Sequence, residues 1–225
     1  MEIDAYLILK VLGISIFIFW GAFCIARAGF PFFKAFLITS MAALGAFATS
    51  RAWYIVQHGF GSEPYSPPDW NAAWNDAGSV LYGWILGGLA VVWFFSKLWK
   101  WPLYQVTDKL VPSVLIAQIL NRFGCFSAGC CYGKPGHPVQ LYEAAWDFLV
   151  FLLVWNQRNK PEGRVSFLYI VGYAVGRFFI EFYRGDNGPA ALGLTVPQIT
   201  SLILIVCAII LLQKHKKGSS NVRPF

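Results

Sequence analysis

The chain has 225 residues, 57% of them apolar and only 13% charged, with a mean hydropathy of +0.53 and a net charge of +7. Soluble domains carry charged residues at about a quarter, so this composition excludes an ordinary soluble domain. The basic residues fall in short connections between apolar runs. That argues against nucleic acid as a partner and for a single transmembrane domain over residues 1–225.

A spanning helix needs about 20 mostly apolar residues. Candidates occur at 6–26, 33–56, 78–96, 110–127, 139–156, 165–184 and 196–213. The predicted fold class is therefore all-α, a polytopic membrane protein of about seven transmembrane helices. Residues 5–28 are too long for a signal peptide and lack a small-residue cleavage site, so they read as a first span. The run 33–56 is long enough to tilt. Residues 57–77 hold a Pro pair and three acidic residues and read as a polar loop.

Lys and Arg set the expected orientation. Arg27 and Lys34, then Lys97, Lys100 and Lys109, then Arg158, Lys160 and Arg164, then the tail with Lys214, Lys216, Lys217 and Arg223 share one side. The other side holds Lys134 and Arg184 among Glu2, Asp4, Glu63, Asp69 and Asp76. The N-terminus is expected outside, and the basic tail 214–225 in the cytoplasm.

With that orientation the polar side chains inside the spans gather in the outer half. Lys10 lies near the start of the first span, Arg51 near the end of the second, Tyr82 near the start of the third and Arg122 near the end of the fourth. Gln140, Glu143 and Asp147 share one helical face at the start of the fifth. Arg177, Glu181 and Arg184 share one at the end of the sixth. Arginine matches phosphate in bidentate fashion and stays charged in apolar surroundings. A pocket for a phospholipid phosphate follows. The competing reading is that these charges only pair between helices. Against it, each charge costs roughly 2.5–3.5 kcal/mol at mid-membrane and less near the interface.

The stretch 121–135, NRFGCFSAGCCYGKP, reads as the floor of that pocket. Gly124, Gly129 and Gly133 permit irregular backbone, which membrane depth tolerates only where it is buried in protein or lines a wet cavity. Cys125, Cys130 and Cys131 admit several readings: small packing residues, a disulfide on an oxidising outer face, or a thiolate activated by Arg122. The spacing favours a metal site least, because the vicinal pair is awkward and fits no common zinc pattern. Cys24 and Cys207 lie in apolar runs and read as packing residues. No metal and no cofactor are expected.

The order of these motifs resembles the bacterial prolipoprotein diacylglyceryl transferase family. Its signature, roughly GRxGNFxNGExxGRP, is matched by Arg122, Gly124, Phe126, Gly129, Gly133 and Pro135. Its HPxQLYEA is intact as His137, Pro138, Gln140, Leu141, Tyr142, Glu143 and Ala144. Its GRV and RFxxEFxR patterns appear as Gly163–Val165 and as Arg177, Phe178, Glu181, Phe182 and Arg184. Its TxxQ resembles Thr195 to Gln198, and its GRxxY resembles Ser50, Arg51 and Tyr54. The resemblance implies seven spans and transfer of diacylglycerol from phosphatidylglycerol to a lipoprotein-precursor thiol in the bacterial inner membrane. It implies catalytic roles for Arg122, Arg177, Glu181 and Tyr82. Substrate contacts are implied for Arg51, Gln140, Tyr142, Glu143, Arg184, Gly124 and Gly133, with His137 as a possible base.

The departures are specific. The family's His on the third span is Tyr82 here. Its signature Asn residues become Cys125 and Ala128, its Glu becomes Cys130 and its final Arg becomes Lys134. The phosphate-handling part survives and the nucleophile-positioning part changes. The expected partners are therefore a phospholipid and a protein or small-molecule acceptor at the outer face. The alternative is a membrane protein that binds phospholipid without turnover.

Overall fold

Apolar runs with few charges satisfy their own backbone as helices where no water is available. The computed structural model describes residues 5–59, 81–158, 163–185 and 193–220. They form α1 (Ala5–Arg27), α2 (Phe32–Gly59), α3 (Leu81–Leu98), α4 (Leu103–Ser127), α5 (Val139–Asn156), α6 (Arg164–Ile180), a 3-10 turn (Glu181–Tyr183) and α7 (Val196–Ser220). Among the described residues there is no strand, and an isolated antiparallel bridge joins Gly133 and Arg184.

The protein is an all-α, polytopic membrane protein. Ala5–Arg27, Phe32–Val56, Leu103–Ser127 and Arg164–Tyr183 are each long and apolar enough to cross a membrane, and Gly83–Leu98 and Val196–Ile210 are shorter apolar helices. Large apolar side chains stand exposed, among them Phe19 and Phe23 on α1 and Phe148, Leu149 and Leu152 on α5. Such surface is costly in water and suits hydrocarbon.

Two boundaries differ from expectation in ways that matter. α4 starts at Leu103 rather than 110. Lys109 lies inside the helix rather than in a connection, and Asp108 beside it is buried inside the fold. The sixth helix stops at Ile180 rather than 184, and Arg184 is extended (φ −75°, ψ 144°). The polar loop lies mostly in 60–80, outside the described residues, as are 221–225 of the tail.

The chain forms two compact units, one of Ile18–Val106 and one of Met1–Phe17 with Thr107–Phe225. In the first, α2 and α3 pack backbone to backbone. Thr49 Oγ1 donates to the Gly83 carbonyl at 2.6 Å. A Cβ at Gly83 would meet the backbone of Ser50, and one at Gly87 would meet Thr49. Small residues permit this close approach where lipid supplies no hydrophobic drive.

In the second unit Val111 and Leu115 of α4 pack with Val150 and Val154 of α5 and Val165 of α6. Trp146 Nε1 donates to the Gly172 carbonyl at 2.8 Å, tying α5 to α6. Asp108 fixes the start of α6. It accepts from Gly163 N at 2.7 Å, Ser166 N at 2.8 Å and Ser166 Oγ at 2.6 Å. A carboxylate here satisfies orphan N–H groups and complements the helix dipole.

Candidate functional site

The far ends of the same helices carry charge. Gln140, Glu143 and Asp147 of α5 are all buried, as the shared face requires. Arg122 comes from the last turns of α4, Arg177 from the end of α6, Glu181 from the 3-10 turn and Arg184 from just beyond. Three guanidiniums converge on Glu143: Arg122 Nε lies 3.0 Å from Oε2, Arg184 Nη1 lies 3.3 Å from Oε1, and Arg177 also donates to Oε1. Glu181 Oε2 sits 3.1 Å from Arg177 Nη2 and 3.7 Å from Arg184 Nε. Thr195 Oγ1 donates to Glu181 Oε1 at 2.9 Å.

Burying ions costs several kcal/mol each unless partners compensate. Here three arginines share two carboxylates in direct ion pairs, and Asp147 enters none of those pairs among the described residues. Glu143 Oε2 accepts no aligned hydrogen bond there. The buried Tyr173 hydroxyl likewise has no hydrogen-bond partner among the described residues. A cavity of about 10 Å³ opens between Arg122, Glu143, Trp146, Asp147, Tyr173 and Arg177. That is room for about one water molecule.

Arg184 reaches the cluster because the chain is clasped there. Lys134 N donates to the Tyr183 carbonyl at 2.8 Å, and Gly185 N donates to the Tyr132 carbonyl at 3.2 Å. A Cβ on Gly133 would collide with the carbonyls of His137 and Tyr183. Gly133 is thus a close-approach residue. At Gly124 the fit is looser, with a Cβ coming 3.1 Å from the Tyr6 ring.

The three cysteine sulphurs lie within 4.8 Å of one another. The vicinal pair converges because Cys131 takes a left-handed backbone (φ 56°). Gln140 Nε2 holds the Cys130 carbonyl at 2.8 Å, so Gln140 braces this loop. All three thiols are free, with Cys125 buried and Cys130 exposed. The structure therefore has no disulfide here. A hydrogen bond from Cys125, together with the positive charges of Arg122 and Arg184, pulls the Cys131 thiol down to about 5. Burial pushes the Cys130 thiol up.

The remaining expected residues fall elsewhere. His137 belongs to an aromatic group, 4.9 Å from the Tyr183 ring and 3.5 Å from the Tyr142 hydroxyl. Arg51 and Tyr82 belong to the other unit. The Arg51 guanidinium lies over the Tyr54 ring at 5.4 Å, and the Tyr82 side chain is outside the described residues. Sequence reasoning missed Tyr173, although it precedes Arg177 by one helical turn. It also left Thr195 as a matched letter without a role.

Apolar helices carrying a buried arginine–carboxylate cluster define a polytopic membrane protein with an interior polar cluster. The chain belongs to the prolipoprotein diacylglyceryl transferase family, whose profile matches residues 1–214. It is 38% identical over 154 residues to the phosphatidylglycerol–prolipoprotein diacylglyceryl transferase of Clostridium tetani, covering 59% of this chain and 62% of that protein. It is 32% identical over 161 residues to the second such transferase of Clostridium perfringens, covering 62% and 63%. It is 27% identical over 226 residues to that of Psychrobacter arcticus, covering 78% and 76%. The chain thus spans a little over three fifths of the length of its Clostridium relatives.

Proposed function

We propose that this protein transfers a diacylglyceryl group from phosphatidylglycerol to a thiol or other acceptor, at the outer leaflet of a bacterial cytoplasmic membrane. The observation that carries the reading is the convergence of Arg122, Arg177 and Arg184 on the single carboxylate of Glu143. Arginines lining a buried cavity can exchange a carboxylate partner for an anion, and family membership makes a phospholipid phosphate the natural one. The distribution of Lys and Arg supports the outer leaflet.

The reaction is a displacement at the glyceryl carbon that bears the phosphate. The acceptor sulphur forms the new C–S bond, the C–O bond breaks, and the phosphate oxygen leaves with the electron pair. The thiol proton passes to solvent or a nearby base. Charge builds on the departing phosphate, where preorganised donors are worth most. Arg122 and Arg177 stabilise it, with Arg184 assisting. Glu181, held by Thr195, fixes Arg177 and Arg184. Because the cavity holds about one water, the headgroup enters by displacing Arg–Glu143 contacts.

The test uses purified protein in phosphatidylglycerol nanodiscs, offered a lipoprotein-precursor peptide with one free cysteine. Mass spectrometry is expected to show peptide gaining a diacylglyceryl group, and Arg122→Ala to abolish it. Unchanged lipid and peptide would overturn the transfer to a peptide thiol.

A further inference from the structure

Cys125, Cys130 and Cys131 stand beside the arginine cluster without a part in the displacement. They do not suit a covalent relay. A cysteine that took the diacylglyceryl group would hold it as a thioether, and a thioether sulphur is a poor leaving group. Packing can account for the buried Cys125 but not for the exposed Cys130. Cys131 adopts a left-handed conformation that costs a non-glycine residue roughly 1–2 kcal/mol. That conformation is braced by the Gln140 bond to the Cys130 carbonyl and by the Gly133–Arg184 bridge. A braced, strained loop that brings three sulphurs together is a built arrangement.

The geometry points to a thiolate site for one thiophilic d10 cation of the zinc and cadmium class, with the Sγ atoms of Cys125, Cys130 and Cys131 as ligands. Bonds of about 2.3 Å to a shared ion put thiolate sulphurs about 3.8–4 Å apart. The three sulphurs already lie within 4.8 Å, so ligation needs a contraction of less than about 1 Å at each pair. A disulfide would use two of them and leave the third without a role. Binding M²⁺ requires all three sulphurs as thiolates, displaces whatever thiol protons remain, and leaves a complex of charge −1. The positive charges of Arg122 and Arg184, which both act on Cys131, supply the compensating charge. The exposed Cys130 gives the ion its entry. Through Arg184 the filled site would stiffen the loop that presents this arginine to Glu143.

The experiment takes the full chain in nanodiscs with its thiols reduced, and titrates it with cadmium alone. The sulphur-to-cadmium charge-transfer band in the ultraviolet is followed. The expected result is a band saturating at one equivalent per chain, reversed by excess zinc. It should be lost in Cys130→Ser and in Cys131→Ser, and retained in Cys207→Ser. Cys130→Ser alters an exposed side chain, so its fold is not in question. Absence of the band in the reduced protein, or its persistence in both serine variants, overturns the site. The readout needs no lipid turnover, so its failure is distinct from failure of the transferase reading.

Discussion

The two ends of α6 use carboxylates in opposite ways. At the Arg164 end, Asp108 is filled by three short hydrogen bonds from Gly163 and Ser166. At the Arg177 end, Glu143 and Glu181 are crowded by three arginines, a carboxylate oxygen lacks an aligned donor, and a small cavity remains. The first arrangement leaves nothing to bind and serves to place a helix. The second crowds buried charge around a small cavity, where each ion is costly to keep.

Breaking the second end should hurt turnover most. Arg122→Ala is expected to lower transfer about 10²–10³-fold, the range seen when a transition-state donor is removed. The fold should survive, because Arg177 and Arg184 still neutralise Glu143. Transfer per folded molecule in nanodiscs decides it, and wild-type turnover in the variant would reduce Arg122 to an interhelical pair. Glu143→Ala is the complement. It leaves three buried guanidiniums facing each other, so a loss of about 3–5 kcal/mol in stability is expected. Chemical denaturation in mild detergent measures it, and an unchanged midpoint would mean the cluster is wet and loosely coupled.

Breaking the first end should reverse the pattern. Asp108→Ala strands buried N–H groups and is expected to cost about 1–3 kcal/mol of stability. Transfer by the folded fraction should hold. A drop in turnover without a stability loss would show that the two ends are not separable. The smallest effect is expected from Tyr173→Phe. Its hydroxyl has no partner among the described residues, so stability should not fall. If the hydroxyl meets the substrate, transfer should drop by about tenfold, one hydrogen bond's worth. No change would leave Tyr173 a wall of the cavity.

Much of this was legible in the chain. Apolar length placed the helices, and the three-and-four spacing put Glu143 and Asp147 on one buried face and Arg177 with Glu181 on another. Sequence could not show that Arg184 leaves the helix. That depends on a bridge to Gly133, a partner about fifty residues away whose approach only a glycine permits. The convergence of the cysteines was hidden for a similar reason, since a left-handed Cys131 reverses where adjacent side chains point. Asp108 drew no reading because its role lies in the N–H groups of Gly163 and Ser166, which are more than fifty residues away.

The clasp between Gly133 and Arg184 fixes more than a side chain. Its two flanking hydrogen bonds set the spacing between the cysteine turn and the end of α6. A residue inserted between Cys131 and Gly133 would shift the pairing by one position and turn Arg184 away from Glu143. Gly133 aside, where a Cβ would strike the His137 carbonyl, substitutions along 128–138 disturb the clasp less than changes in the number of residues. This short loop behaves as a ruler, and its length is under tighter constraint than its lettering.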